Sequence, residues 1–187
     1  MPQLDDNAGL LTSYLATKRY SAARPHLRGR VLDVGCANGS LTEWCRADAY
    51  VGVDIDAASI EIARERHPEY RFQPDLPTGE TFDTVVALAL IEHVDDPGSF
   101  IEQLRGLLRV DGVIVLTTPH PRLEWAHTIG AKVHLFSHEA HEEHEELIDL
   151  PRMNAIAQGA GLEVFHHERF LFGANQLFLL RVVTPAA

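Results

Sequence analysis

Two acidic residues on either side of a turn of small residues are the first positions in this chain that are placed to do chemistry. Asp33 lies in the short apolar segment VLDV, which runs directly into small residues at every second place: Gly35, Ala37 and Gly39. Asp54 follows 21 positions after Asp33 and ends a second apolar segment. Strand, glycine turn, helix, strand and terminal acid form the first half of a nucleotide-binding βαβ unit. In such a unit the turn lets backbone approach a ligand, and the second acid accepts hydrogen bonds from a ribose diol.

The spacing of the small residues indicates which kind of nucleotide to expect. A dinucleotide fingerprint needs glycines in the order G-x-G-x-x-G, whereas those places here hold Gly35, Ala37 and Ser40. The Gly-Lys-Ser/Thr segment of a phosphate-binding P-loop is absent from the sequence. Asp33 instead presents a carboxylate just before the turn, which repels a pyrophosphate and attracts a cation. These residues favour a nucleoside that carries positive charge and no phosphate, and S-adenosylmethionine fits that description.

The same residues resemble the motif of class I S-adenosylmethionine-dependent methyltransferases. The family pattern Asp-x-Gly-x-Gly-x-Gly reads here Asp33, Gly35, Ala37 and Gly39, so that an alanine stands in place of the middle glycine. One methyl group is a small intrusion that narrows the turn. The later family blocks follow in order, up to about Pro121: FQPDL, FDTVVALALIEHV and GVIVLTTPHP. The resemblance implies S-adenosylmethionine as the cofactor and methyl transfer as the activity.

The resemblance also implies roles for individual residues of a cofactor site. Backbone near Gly35 would take the methionine portion, oriented by Asp33, and Asp54 would hold the ribose hydroxyls. Asp75 would accept a hydrogen bond from the adenine amino group, with apolar side chains sandwiching the ring. As alternatives, Asp33 and Asp54 could simply cap strand ends, and Asp75 could belong to a simple turn. The expected cofactor-binding residues are Asp33, Gly35, Cys36, Ala37, Gly39, Asp54, Ile55, Asp75, Leu76, Ala87 and Leu88.

Histidines are the candidate catalytic residues, because an acceptor that loses a proton during methylation needs a general base. His93 follows the predicted fourth strand and His120 follows the fifth, so both should border the crevice. His138 lies in HLFSHEAHEEHEEL, where positions 134, 138 and 141 share one helical face. A helix start at His93, and a solvated or lid-forming helix in the histidine-rich segment, remain as alternatives. H-E-x-x-H is absent, so we name no metal ligand, and metal binding by the histidine-rich segment remains as a further alternative. Cys36 is expected to pack, because methyl transfer from a sulfonium is a direct displacement.

Two groups of methyltransferases resemble the IEHV and TTP segments. Small-RNA 2′-O-methyltransferases use a Glu-x-x-Glu-His metal set, which Glu92 and His93 match, but Ala89 replaces the first glutamate. Ubiquinone-biosynthesis-type O-methyltransferases also carry the Glu-His pair and act on small aromatic acceptors; the pattern from Asp33 to Pro121 is most similar to theirs. We therefore expect methyl transfer to an O, N or C atom of a small molecule. A catalytically inactive cofactor-binding module, a metal-assisted RNA enzyme and an oxidoreductase remain as alternatives.

A parallel sheet is needed to bring these residues together, since ligands of open α/β sheets bind beyond the carboxyl ends of the strands. The pattern predicts an α/β fold: a Rossmann-like, seven-stranded, mostly parallel sheet with helices on both faces. Only LFGAN joins the last two strands, so they should form an antiparallel edge hairpin. Predicted helices cover 8–22, 39–47, a stretch beginning near 57, 98–108 and 150–158; predicted strands cover 30–34, 50–54, 70–73, 84–88, 112–117, 163–170 and 176–183. We expect one domain over 1–187, with 1–29 as a leading helical segment and 119–149 as an insertion or lid on the acceptor side.

Composition and net charge indicate the class of protein, its partners and its compartment. The length of 187 residues suits one domain, and 45% apolar with 23% charged residues is typical of a globular protein. The net charge of -11 repels a polyphosphate backbone and argues against a nucleic-acid partner. No apolar run approaches membrane-spanning length, and the N-terminus lacks the basic and apolar regions of a signal peptide, so we expect no membrane association. Two cysteines are no disulfide framework and favour a reducing cytoplasm. The sequence leaves the oligomeric state unknown.

Overall fold

The computed structural model describes residues 4–120 and 148–183, with side chains from residue 13 onward. Its strands are Val31–Val34 (β1), Tyr50–Val53 (β2), Arg71–Gln73 (β3), Phe82–Leu88 (β4), Leu108–Pro119 (β5), Leu162–Phe170 (β6) and Asn175–Val182 (β7). Its α-helices are Leu4–Ala23 (α1), Ala57–Arg66 (α2), Pro97–Gly106 (α3) and Leu150–Gly159 (α4). None of these helices has both the length and the apolar character needed to cross a bilayer.

Within the described residues one sheet has the strand order β3-β2-β1-β4-β5-β7-β6. β1, β2, β3, β4 and β5 pair in parallel, whereas β7 is antiparallel to both β5 and β6. The order reverses at β1, which lies between β2 and β4. In open α/β sheets the ligand crevice forms at such a point, beyond the carboxyl ends of the strands. The predicted Rossmann-like fold and its antiparallel edge hairpin are confirmed.

Helices cover both faces of the sheet, and successive side chains of β1 point to opposite faces. Leu32 and Val34 join a core with buried residues of α3 and α4: Ile101, Leu104, Met153 and Ala157. Val31 joins the opposite core, to which α1 and α2 contribute Ala23, Ile60 and Ala63. Asp33 shares the face of Val31 by the same alternation. The carboxyl that the sequence singled out therefore lies between the sheet and the layer that contains α1 and α2.

The helix predicted over 39–47 is wrong. The chain forms two short 3₁₀ turns instead, Ser40–Trp44 and Ala47–Ala49. Gly39 enters the first turn in a left-handed conformation, and the Thr42 hydroxyl bonds back to the Gly39 carbonyl at 2.7 Å. This local bond competes with α-helical pairing, as short hydroxyl side chains often do. Leu41 is fully buried, as expected from its apolar character.

Aspartate side chains cap the N-termini of α2, α3 and α4. Asp96 accepts a hydrogen bond from the Ser99 N–H at 3.0 Å, and Pro97 opens α3 one residue before the predicted start of this helix at 98. Asp56 caps α2 and Asp149 caps α4 in the same way. Capping by Asp56 fixes the point at which α2 leaves β2, only two residues after Asp54.

Residues 121–147 lie outside the described part of the structure. The predicted insertion or lid at 119–149 falls mainly there, and its role stays a prediction. The described ends of this region are Pro119, the last residue of β5, and Ile148, which is fully buried. The Gln176 side-chain amide bonds to the carbonyls of both residues, at 3.2 and 2.5 Å. Gln176 therefore fixes both ends of the region to the start of β7.

Candidate functional site

The turn after β1 is built from three residues in the left-handed region. Gly35, Ala37 and Gly39 have φ angles of 75°, 45° and 77°. Glycine reaches this region without strain, whereas the same conformation costs Ala37 roughly 1–2 kcal/mol. The N–H groups of Gly35 and Cys36 both donate to the Val53 carbonyl, at 2.8 and 3.0 Å. The turn is thereby attached to the carboxyl end of β2 and places its backbone over the point where the strand order reverses.

Asp54 is the second contact between the turn and β2. One carboxylate oxygen accepts from the Ala37 N–H at 2.8 Å, and the other accepts from the Asp56 N–H at 2.9 Å. Asp54 is 8% exposed, so these bonds are largely shielded from water. Each carboxylate oxygen offers a second lone pair, and the residue can therefore still accept from a ligand hydroxyl. Contact with a ribose stays a prediction, and the structure adds a role for Asp54 in shaping the turn.

Asp33 lies beneath the turn and is 4% exposed. Its carboxylate accepts a hydrogen bond from the Tyr50 hydroxyl at 2.8 Å. Burial raises the pKa of Asp33 to about 7; the Tyr50 hydrogen bond lowers this pKa, and the nearby Asp54 raises it. A carboxyl with such a pKa gains or loses its charge near neutrality, and an arriving cation favours the charged form.

Sequence reasoning missed the aromatic cluster that supports Asp33. The Tyr50 ring meets Tyr70 edge-on at 5.6 Å and Phe72 at 5.8 Å between centroids. A Cβ at Gly52 would lie 2.6 Å from the Phe72 ring, so that glycine makes room for the cluster. A tyrosine at the start of a buried strand was the available signal, because a buried phenol hydroxyl needs a hydrogen-bond partner.

The expected adenine-binding residues lie at the ends of β2 and β3. Ile55 follows Asp54 directly and is 55% exposed, so its side chain is open to a planar ring. Leu76 is partly buried against the core, and Asp75 is exposed. The Gln73 side chain donates to the Asp75 carbonyl at 2.6 Å and closes the intervening turn. The contacts of Ile55, Asp75 and Leu76 with adenine stay predictions.

The end of β4 forms the next wall of the crevice. Ala87 pairs with Val34 across the sheet and is fully buried, so it can offer a ligand only backbone. Leu88 is partly buried against the core that α1 covers. Ala89 follows with a φ of 53°, and its N–H bonds to the Thr117 carbonyl at 2.8 Å. Strained backbone of this kind clusters at ligand sites.

Leu90 connects this wall to the glycine turn. A Cβ at Gly35 would lie 3.2 Å from a Leu90 methyl group. Cys36 in the turn is 3% exposed, and burial raises the pKa of its thiol well above the ordinary value. A protonated, buried thiol is a poor nucleophile, which agrees with the expectation that Cys36 packs.

The two described candidate bases lie at the carboxyl ends of neighbouring strands. His93 ends the 3₁₀ turn Ile91–His93 after β4 and is partly buried. His120 follows β5, is 3% exposed, and donates its backbone N–H to the Ala174 carbonyl at 2.9 Å. His138 lies outside the described residues. Among the described residues no group of three or more histidine, cysteine or acidic side chains is placed to hold a metal. Catalysis by any of the three histidines stays a prediction.

A polar contact from α1 also reaches this end of the sheet. Arg19 donates its Nε–H to the Asn175 side chain at 3.2 Å, and Asn175 pairs with Pro119 at the end of β5. Burial lowers the pKa of Arg19, and the carboxylate of Glu92 opposes that shift. Arg19 thus attaches α1 to the start of β7, beside the end of β5.

The fold and the turn define the class of protein. A sheet whose order reverses at β1, a glycine turn over a buried carboxyl and an acid at the end of β2 are the architecture of class I S-adenosylmethionine-dependent methyltransferases. The residues fit that cofactor, since the left-handed turn at Gly35 presents backbone without a side chain and the buried Asp33 carboxylate matches a cation. A family model described as a methyltransferase domain matches residues 10–167. The chain belongs to this family.

Named relatives agree with this membership, and a solved structure agrees with the fold. The chain is 34% identical over 105 residues to the ubiquinone biosynthesis O-methyltransferase of Actinobacillus pleuropneumoniae serotype 5b, covering 48% of this chain and 45% of that protein. It is 33% identical over 150 residues to the corresponding enzyme of Bordetella avium, covering 72% of this chain and 62% of the relative. The chain thus spans less than two thirds of these relatives' length. An S-adenosylmethionine-dependent methyltransferase from Clostridium acetobutylicum superposes with a TM-score of 0.66 at 11% identity, covering 89% and 92% of the two chains.

Proposed function

We propose that this chain transfers the methyl group of S-adenosylmethionine to an oxygen atom of a small aromatic molecule. The buried Asp33 beneath a turn of left-handed residues is the observation that carries the proposal, because it suits a cationic nucleoside and opposes a phosphate. Support for oxygen as the acceptor atom comes from the relatives, whose names specify O-methylation. The net charge of -11 supports a small-molecule acceptor over a nucleic acid.

When bound, the cofactor supplies a methyl group on a positively charged sulfur. That methyl group would be displaced by the phenol oxygen, which would leave the sulfur as a neutral thioether, and the phenol proton would go to a base on this chain. This chain's part is to hold donor and acceptor in line and to exclude water. Asp54 and the backbone at Gly35 would bind the donor. His93 or His120 would take the proton, because both lie at strand ends on the acceptor side.

The two described cysteines support a reducing compartment as the setting. Cys36 and Cys45 are both free thiols in the structure. Free thiols persist where glutathione and thioredoxin keep them reduced. We therefore propose that the reaction takes place in the cytoplasm.

Ligand-dependent stabilisation followed by an activity assay tests the proposal. Melting curves with S-adenosylmethionine, S-adenosylhomocysteine and NAD should show stabilisation by the first two alone, because only a ligand of the folded state stabilises it by mass action. Incubation with methyl-labelled cofactor and a panel of catechols, phenols, amines and short RNA should then label the phenolic compounds. Stabilisation by NAD alone would refute the assignment. Cofactor binding without transfer to any acceptor would favour a binding module.

A further inference from the structure

Tyr50 of β2 bonds to Asp33 of β1, although the two residues are not directly opposite each other in the sheet. Tyr50 lies opposite Val31, and Gly52 lies opposite Asp33. The phenol therefore extends along the sheet toward the carboxyl end of β1, where its hydroxyl donates to Asp33 at 2.8 Å. Tyr50 is 2% exposed, so this bond is shielded from water. The hydroxyl thus ends at the carboxylate that lies two residues before Gly35, where the methionine portion of the cofactor is predicted to bind.

The ring of Tyr50 has little freedom to move. Tyr70 and Phe72 both contact it edge-on, with centroids at 5.6 and 5.8 Å. The Tyr70 hydroxyl is itself fixed by the carbonyls of Thr42 and Cys45, at 3.0 and 2.8 Å. A donor held by its own packing is preorganised, so little conformational entropy is lost when it binds the carboxylate.

We propose that Tyr50 is a positioning residue of the cofactor site: its hydroxyl holds the Asp33 carboxylate in the orientation and the ionised form that attract the cofactor's ammonium group. The inference rests on the proposed function, because it assumes a cationic cofactor above the turn. Tyr50 acts through Asp33 and touches no reacting atom. A hydrogen bond donated to a carboxylate stabilises its charged form, and this effect is large where water is excluded.

The other groups that face Asp33 do not supply this stabilisation. Asp54 opposes the charge, and burial opposes it more strongly. Tyr20 of α1, Cys36 of the turn and Cys45 interact electrostatically with Asp33, and each has its own pKa raised by that carboxylate. Among these described neighbours Tyr50 is the one that lowers the pKa of Asp33. Without its hydroxyl the free site would hold a neutral acid over a wider range of pH, and the attraction for a cation would weaken.

Calorimetric titration with S-adenosylhomocysteine between about pH 5 and pH 9 tests the inference. In the wild type, affinity should rise with pH and level off above the Asp33 pKa of about 7. Tyr50→Phe keeps the ring and removes the hydroxyl, so the midpoint of that rise should move up by about one pH unit. A shift of that size lowers affinity about tenfold at acidic pH. Asp33→Asn should bind with an affinity that barely changes across this range.

Tyr70→Phe is the matched control, since it removes a neighbouring, partly buried hydroxyl that bonds to carbonyls and not to a carboxylate. It should leave the midpoint unchanged even where it lowers stability. Adenosine, which lacks the ammonium group, should bind all four proteins with little dependence on pH. Tyr50→Met provides a second variant without the donor if Tyr50→Phe does not fold, and the same midpoint shift is expected.

The possible outcomes distinguish failure of this inference from failure of the proposed function on which it rests. An unchanged midpoint in Tyr50→Phe, or an equal shift in Tyr70→Phe, would overturn the role of Tyr50. Wild-type affinity that does not vary with pH would overturn the linkage through Asp33 while leaving the cofactor site intact. Failure of the wild type to bind S-adenosylhomocysteine at any pH would overturn the proposed function itself.

Discussion

Replacement of Asp54 by asparagine should release the glycine turn from the end of β2. The native carboxylate accepts one N–H on each oxygen, from Ala37 and from Asp56. An amide has one oxygen and one NH₂ group, so either orientation of the introduced side chain points a donor at one of these N–H groups. The variant must lose one of the two bonds, and the surviving bond becomes a neutral one.

The expected loss can be worked from the two bonds. A hydrogen bond to a charged partner contributes about 1.5–3 kcal/mol, and a neutral one about 1 kcal/mol. Loss of one charged bond and weakening of the other should lower the free energy of unfolding by roughly 2–4 kcal/mol. Affinity for S-adenosylhomocysteine should fall at least tenfold, because the turn shifts and the ribose faces a neutral amide.

Urea unfolding and calorimetry measure the two effects, and Asp56→Asn serves as the control. Asp56 also accepts one N–H on each oxygen, from Ala58 and Ser59, but these bonds are longer at 3.2 Å and more exposed. Asparagine caps helices about as well as aspartate, so loss of the same charge at Asp56 should have a smaller effect. The Asp56→Asn substitution should lower the free energy of unfolding by no more than about 1 kcal/mol, and the variant should bind S-adenosylhomocysteine almost normally. Equal unfolding midpoints for the two variants would refute the account of the turn. Wild-type affinity in Asp54→Asn would remove Asp54 from the cofactor site.

Three further predictions concern other positions. Burial raises the pKa of Asp33 to about 7, so the fold tolerates the neutral acid at low pH and loses stability as pH rises from the unfolded pKa toward 7. Asp33→Asn should therefore resist urea better than the wild type at about pH 8, by roughly 3–4 kcal/mol, and the difference should vanish near pH 4; a less stable variant at the higher pH would contradict this. Gly52→Ala places a Cβ 2.6 Å from an aromatic ring and should cost about 1–3 kcal/mol, whereas Gly79→Ala meets nothing within 4 Å and should cost only the roughly 1–2 kcal/mol of its left-handed backbone. Calorimetric unfolding of both variants checks this, and a larger cost at Gly79 would contradict it. With a phenolic acceptor, replacement of the catalytic base by glutamine, at one of His93 and His120, should lower kcat by about 100-fold or more in the labelled-methyl assay. Small effects at both positions would exclude both histidines as the base.

The sheet could be predicted because its signals are local. Continuous apolar runs, glycine turns and a five-residue link between the last two strands each report on adjacent residues, and all agree with the observed topology. The helix predicted over 39–47 failed for a reason that is also local. Gly39 and the bond from Thr42 to its carbonyl favour a 3₁₀ turn, and apolar spacing alone cannot separate a short turn of this kind from one turn of α-helix.

Contacts between distant residues explain what the sequence could not predict about the site. Tyr50 and Asp33 meet only because β2 pairs with β1 in one particular register. Arg19 and Asn175 are 156 positions apart and meet because α1 packs against β4 and β5, and β5 is the neighbour of β7 in the sheet. Motif reasoning identifies residues that touch a ligand, whereas residues that position them leave no pattern in spacing. The electrostatic setting of the cofactor turn is therefore a property of the fold.

The two acids of the motif do different work, and their hydrogen bonds show the difference. Asp54 bonds to the backbone at Ala37 and Asp56, as a residue that shapes a turn should. Asp33 bonds to a side-chain hydroxyl and lies where burial opposes its charge. A purely structural site would be more stable with a neutral side chain there. Retention of a carboxylate at such a position makes sense if a bound cation offsets the cost, because local departures from the rules of stability mark functional sites. Asp54 thus accounts for the shape of the turn and Asp33 for its charge, so loss of Asp54 should weaken every ligand of the turn, and loss of Asp33 should selectively weaken the cationic ones.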